Sequence, residues 1–186
     1  MLMIRLTIPY FVLALLLFSA CTPRNLSYTE ALDRNNRKLE TDMDRKDATF
    51  LVEVANFNLL LQDLNTKALQ EGYARVVVDY ATQAQADHNR MADELRNLAK
   101  NKKVVLPASM SERFQLLSNE VLVGDRRNFD KSYLNTAESV YKQAIRMFEE
   151  AALNAGDSRV RAFAASKLEV LRANERKADS LETQLM

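Results

Sequence analysis

Residues 73–102 read YARVVVDYATQAQADHNRMADELRNLAKNK, and this stretch decides the fold class. Its apolar or small residues recur at intervals that alternate between three and four, which places them on one face of a helix. The positions of this seam are Ala74, Val77, Ala81, Ala84, His88, Met91, Leu95 and Leu98. The pattern predicts a long amphipathic helix that packs against partner helices.

The same alternation recurs in three further stretches, which are residues 47–70, 128–155 and 158–183. Residues that break helices are rare and lie between these stretches, at Gly72, Pro107, Gly124 and Gly156. A Ser-x-x-Glu capping box at Ser109 predicts a short helix after Pro107. We therefore predict an all-α, ferritin-like four-helix bundle with a short extra helix in the crossover between long helices two and three.

The N-terminus has the layout of an export signal. Arg5 precedes an apolar run from residue 8 to residue 18, and two small residues then precede Cys21, the only cysteine. The run is too short to span a membrane as a helix. It resembles a bacterial lipobox, which implies a signal peptide over 1–20, an acylated Cys21 carrying palmitate or a similar chain, and, with Thr22 next, an outer-membrane lipoprotein. The alternative is an ordinary secreted chain with a free thiol at Cys21.

Residues 21–46 are polar and mixed in charge, and we interpret them as a lipidated N-terminus and tether that is partly helical. The domain itself is then predicted over residues 47–183. Ser27 and Glu30 have the spacing of a capping box, which favours a short helix inside the tether.

Charge and motif content exclude several functions. Without Arg5 of the signal, the chain has as many basic as acidic residues, so no basic excess indicates nucleic acid. Three glycines cannot supply a phosphate-binding loop, and no nucleophile elbow or dinucleotide motif occurs. We expect neither enzymatic activity nor a cofactor.

One polar side chain interrupts the apolar stripe of each long helix. These residues are Asn58, His88, Tyr141 and Asn174. Burying them without partners would cost about 1–3 kcal/mol each. Three interpretations stay open: a shared buried polar layer that fixes helix register, partial exposure to solvent, or a metal or catalytic centre.

The ligands for a metal centre are sparse. Di-iron bundles use Glu-x-x-His pairs, but Gln85 stands three residues before His88. Asp87 adjoins His88 and projects about 100° away from it on a helix. Asp87 and His88 are therefore only weak candidate ligands, and the sequence predicts no metal site.

Four short motifs carry a resemblance over residues 46–180. They are Asp87-His88, Leu106-Pro107, Phe129-Asp130 and Tyr133-Leu134. In this order they resemble a bacterial ferritin-like family of exported, outer-membrane or periplasmic proteins of unknown function. The resemblance implies a histidine where Tyr141 and Asn174 stand and a glutamate near Asn58. Only Asp87 and His88 keep that pattern.

These observations favour a lipid-anchored helical bundle of the cell envelope with a non-enzymatic binding or structural role. The membrane is its first partner, through Cys21, and an envelope protein, the peptidoglycan or a small ligand is the second. The alternative is a ferritin-like metalloprotein, an oxidase or metal-handling protein, with a divergent site around Asp87 and His88. A third possibility is an oligomer subunit that associates through helix faces.

Overall fold

The computed structural model describes residues 25–123 and 126–185. The predicted signal peptide over 1–20 and the lipidation site Cys21 lie outside the described residues. Among the helices within them, none combines the length and the apolar character that crossing a membrane requires.

All regular structure in the described ranges is helical, which confirms the all-α class. The six helices, in chain order, are α1 (Tyr28–Lys38), α2 (Asp42–Glu71), α3 (Arg75–Lys102), α4 (Glu112–Glu120), α5 (Arg126–Asn154) and α6 (Ser158–Gln184). Four of them are long, and the short α4 lies between the second and third long helices, where the sequence predicted it.

The long helices form two hairpins, α2 with α3 and α5 with α6. The hairpins pack through α2 against α5 and through α3 against α6, while α1 and α4 rest on α2. The seam residues of each long helix meet in one core, because their three-and-four spacing turns the same face inward. Phe148, for example, is buried and makes an edge-to-face contact with Phe50, at 5.3 Å between ring centroids.

The predicted tether is wrong in extent, because residues 26–39 are part of the folded domain. Ser27 caps α1, and Glu30 completes the predicted capping box. Leu26 and Ala31 are buried, and the Tyr28 hydroxyl donates a hydrogen bond to the Glu53 carboxylate of α2. This helix stays on the surface of α2 because its apolar side covers core residues that would otherwise face water. The first long helix accordingly begins at residue 42 rather than 47.

Asn35 fastens α1 to the segment that follows α3. Its Nδ2 donates to the carbonyl of Val105 at 2.8 Å, and its Oδ1 accepts from the Val105 N–H at 2.9 Å.

Asn35→Ala is expected to lower the free energy of unfolding by about 2 kcal/mol, because both backbone groups of Val105 lose their partner. Urea denaturation measures the change. Asn36→Ala, at the exposed neighbouring position, is the control and should stay within about 0.5 kcal/mol of the wild type.

The start of α4 also differs from the prediction. The capping box at Ser109 is wrong, since Ser109 is exposed and α4 begins after Ser111. The Ser111 hydroxyl does not cap its own helix; instead Asn56 of α2 accepts from the Ser111 N–H at 2.8 Å. The cap therefore comes from a neighbouring helix, which local spacing alone cannot indicate.

The two hairpins are structural repeats of one another. Asp47 of α2 accepts hydrogen bonds from the backbone N–H groups of Gly156 and Asp157, both at 2.8 Å, in the turn before α6. Asp130 of α5 accepts from the N–H groups of Tyr73 and Ala74, at 2.9 and 2.7 Å, in the turn before α3. Both aspartates are buried. Each hairpin thus caps the second helix of the other.

A constant interval in sequence separates each position of the first hairpin from the equivalent position of the second. The same number of residues separates Asp47 from Asp130, Asn58 from Tyr141, and the capped turns from each other. Buried positions of α3 and α6 follow the same interval, as in Val77 with Val160 and Ala81 with Ala164. Two of the four predicted polar residues, Asn58 and Tyr141, are therefore equivalent positions that face the core from α2 and α5.

Candidate functional site

Three of the four polar residues converge at the centre of the domain. His88 of α3 is 1% exposed, and its Nδ1 lies 2.8 Å from Oδ1 of Asn58 on α2. Its Nε2 lies 2.7 Å from the hydroxyl of Tyr141 on α5. The interpretation as a shared buried polar layer therefore describes Asn58, His88 and Tyr141, and partial exposure to solvent is wrong for them.

The hydrogen bonds define the protonation state of the imidazole. Because Asn58 Oδ1 can only accept, His88 carries its proton on Nδ1, and Nε2 accepts the hydroxyl proton of Tyr141. Burial lowers the pKa of His88 to about 4, and the nearby Asp87 carboxylate opposes this shift only in part. Burial likewise raises the pKa of Tyr141 far above its usual value. Both groups are therefore neutral at pH 7.

Asn174 of α6 is buried but joins the layer indirectly. Its Nδ2 donates to Oδ2 of Asp87 at 3.0 Å and to the backbone carbonyl of Val170 at 3.0 Å. The backbone carbonyl of Asn174 accepts a hydrogen bond from the Tyr80 hydroxyl at 3.1 Å. Asp87 also pairs with Arg90 on the surface. Asp87 and His88 are neighbours in sequence but contact different helices. Asp87 bonds to α6, whereas His88 bonds to α2 and α5.

The residues around His88 do not fit a metal ion. Both ring nitrogens already bond to neutral partners, and the nearest carboxylate, Asp87, bonds to Asn174 and Arg90 instead. In the described ranges, no group of three or more His, Cys, Asp or Glu side chains is placed to hold an ion. A metal would have to displace Asn58 or Tyr141, neither of which can supply a charged ligand at neutral pH.

A second buried pair extends this layer along the helices. The Tyr133 hydroxyl donates to Oδ1 of Asn65 at 2.7 Å, between α5 and α2. Sequence reasoning did not predict this pair, because Tyr133 stood out only as part of the Tyr133-Leu134 motif. Asp47 and Asp130 were not singled out either as capping groups, although both lie among the core positions of their helices. The interval from Asp47 to Asp130 equals the interval from Tyr73 to Gly156, and this repeat is the sequence signal that could have revealed them.

The layer is thus a chain of two neutral hydrogen bonds that joins α2, α3 and α5. His88 bonds to Asn58 on one side and to Tyr141 on the other, so the layer fixes the register of three helices. An imidazole with no accessible nitrogen and a low pKa is not placed to transfer a proton to a substrate.

Comparison with solved structures identifies a similar fold. A crystal structure of a DUF305 fragment from Deinococcus radiodurans superposes with a TM-score of 0.67 at 11% sequence identity, covering 75% of this chain and 96% of that one. At this identity the likeness concerns the fold alone. No curated protein matches the chain significantly.

A family model also matches, and it extends over residues 34–181, which comprise most of the chain and all four long helices except the last turn of α6. Its range begins inside α1, in agreement with the packing of that helix on the domain. The chain therefore belongs to the family described as domain of unknown function (DUF4142).

Proposed function

We propose that this protein is a lipid-anchored helical domain of the cell envelope. It catalyses no reaction and acts by binding a partner or as a structural element. The single observation that carries the non-enzymatic part is the hydrogen bonding of both ring nitrogens of His88. Its ring is buried, neutral and bonded at both nitrogens, so the only histidine of the chain holds three helices together.

The proposed architecture is the ferritin-like four-helix bundle. Two helical hairpins that cap each other through Asp47 and Asp130 support this proposal, because such bundles are built from two paired helices around one core. In this family member the positions that would hold ligands carry Asn58, Tyr141 and Asn174. We propose that a hydrogen-bonded layer takes the place of a metal centre.

Metal analysis separates this proposal from a metalloprotein with a divergent site. The purified full chain is expected to contain less than about 0.1 equivalents of iron, manganese or zinc after incubation with each ion and desalting, since the donor set lacks charged ligands. Elemental analysis measures the content. Stoichiometric metal that is lost in His88→Ala but kept in the exposed control Asp79→Ala would establish the metalloprotein instead.

The anchor rests on residues 1–21 and is tested separately. We propose that the chain is cut before Cys21 and acylated there, with the outer membrane as its location. Cells that express the wild-type chain with labelled palmitate should incorporate label, and Cys21→Ala should abolish it. Two or three acyl chains give a stable anchor, so the wild type should also fractionate with membranes. Equal labelling of both chains would disprove the anchor.

A further inference from the structure

A pocket of about 280 Å³ opens between α2, α3 and the segment that follows α3. Its walls are mostly apolar and consist of Ala55, Leu59, Ala92, Leu95, Leu106 and Pro107. This is large enough for a molecule with a single ring, and an apolar lining with few polar groups is typical of small-molecule sites. Three polar residues also line it, namely Asn58, Gln62 and Arg96.

Asn58 connects this pocket to the buried layer. The residue is 4% exposed, and its Oδ1 is bonded to His88. Within the part of the chain that the structure describes, its Nδ2 has no hydrogen-bond partner. With Oδ1 committed to the imidazole, Nδ2 is the polar atom that Asn58 leaves for the pocket. Because Nδ2 is not among the fully buried side-chain atoms that lack a partner, it keeps contact with solvent at the pocket, where a ligand oxygen can accept from it in place of water.

The other two polar residues indicate the charge of the occupant. Arg96 pairs with Asp93 through one nitrogen of its guanidinium, which has further N–H groups that can only donate. Gln62 donates one N–H of Nε2 to Asn89 at 2.8 Å, which leaves this side chain one further N–H donor and its Oε1 as an acceptor. Donor groups therefore outnumber acceptor groups among the polar residues that line the pocket, and they favour an acceptor group on the ligand.

We propose that this pocket binds a small apolar molecule that ends in a carbonyl or carboxylate oxygen, with Asn58 Nδ2 as the donor. The inference rests on the binding role proposed above and names its site and ligand class.

A ligand bound in this pocket also affects the hydrogen bond between Asn58 and His88. Because Oδ1 and Nδ2 belong to one conjugated amide, a bond accepted from Nδ2 strengthens Oδ1 as an acceptor for His88. Ligand binding is thereby communicated to the imidazole.

The only histidine of the chain reports binding without ambiguity. The 15N-labelled full chain is titrated with benzoate, acetophenone and benzylamine while the imidazole nitrogen resonances are followed by NMR. Benzoate and acetophenone are expected to shift the Nδ1 resonance of His88 to saturation. Benzylamine, which offers a cation where an acceptor is needed, is expected to bind at least about tenfold more weakly. Arg96→Gln should weaken benzoate but leave acetophenone unchanged, which separates the carboxylate from the carbonyl.

Filling the pocket provides the matched control. Ala92→Leu places a larger side chain in the wall and should abolish the shift, whereas Ala86→Leu, on the exposed face of the same helix, should preserve it. Circular dichroism confirms that both variants fold. An unchanged Nδ1 resonance with benzoate and acetophenone, tighter binding of benzylamine, or a shift that persists in folded Ala92→Leu would overturn the proposed site. Palmitate labelling at Cys21 would be unaffected by any of these results, so failure of the site and failure of the anchor are distinguishable.

Discussion

Acidification from pH 7 to pH 4 is expected to lower the free energy of unfolding by about 3 kcal/mol through His88 alone. The pKa of the imidazole is about 4 in the folded chain and about 6.5 when unfolded, so the unfolded state binds more protons in this window. A group with a lowered pKa contributes stability above its unfolded pKa and loses it as the pH falls through the folded pKa. Stability should therefore fall between pH 6.5 and pH 4. Urea denaturation at half-unit intervals of pH measures this slope.

His88→Gln isolates the contribution of the histidine. The variant is expected to be less stable at pH 7, because glutamine cannot reproduce both bonds to Asn58 and Tyr141. Its stability should nevertheless change little between pH 6.5 and pH 4.5, since most carboxylates remain ionised there. An equally steep slope in the wild type and in His88→Gln would show that another group causes the acid sensitivity.

Removal of either buried capping aspartate should destabilise the domain by about 3 kcal/mol. Asp47→Ala leaves the N–H groups of Gly156 and Asp157 without their acceptor, and Asp130→Ala does the same to Tyr73 and Ala74. Hydrogen bonds to a charged group contribute more than neutral ones, and a buried N–H without a partner adds its desolvation cost. Thermal and urea denaturation of both variants measure the loss.

The double variant of Asp47 and Asp130 tests whether the two capping sites are independent. The two aspartates act at opposite ends of α2, about 35 Å apart along a helix of this length, so their effects should add to within about 0.5 kcal/mol. The double variant would then lose about 6 kcal/mol, which is comparable with the whole stability of many domains. Asp79→Ala, at an exposed position that forms a surface ion pair with Arg75, should cost less than about 0.5 kcal/mol. Equal costs for Asp79→Ala and Asp47→Ala would refute the capping role.

Most of the fold could be predicted from periodicity. Val77, Ala81 and Leu95 are buried as their spacing required, because a helix whose apolar residues alternate by three and four has one face to bury. The same reasoning placed Asn58, His88, Tyr141 and Asn174 on the apolar stripes but left open whether they are buried. It could not decide which of them would touch, because the rotation and axial shift of each helix depend on the packing of all the others.

Local patterns were less reliable at the ends of helices. The capping box at Ser27 is present, whereas the one at Ser109 is not, although both have the required spacing. The difference is tertiary, since Asn56 reaches the start of α4 from α2 and takes the place of a local cap. The extent of the folded domain was missed for a similar reason. Residues 26–39 are polar on average, and only contact with α2 and with Val105 shows that their few apolar groups suffice for packing.

The sequence by itself determined the all-α class, the positions of the long helices and the presence of a polar residue within each apolar stripe, because these follow from side-chain spacing along one chain. The tertiary structure alone decided that Asn58 and Tyr141 bind the two nitrogens of His88. It also decided that Asn174 donates to Asp87 and that Asp47 and Asp130 cap helices distant in sequence. Hydrogen bonds need donor and acceptor within about 3 Å. Such proximity between residues far apart in sequence arises only when the helices pack.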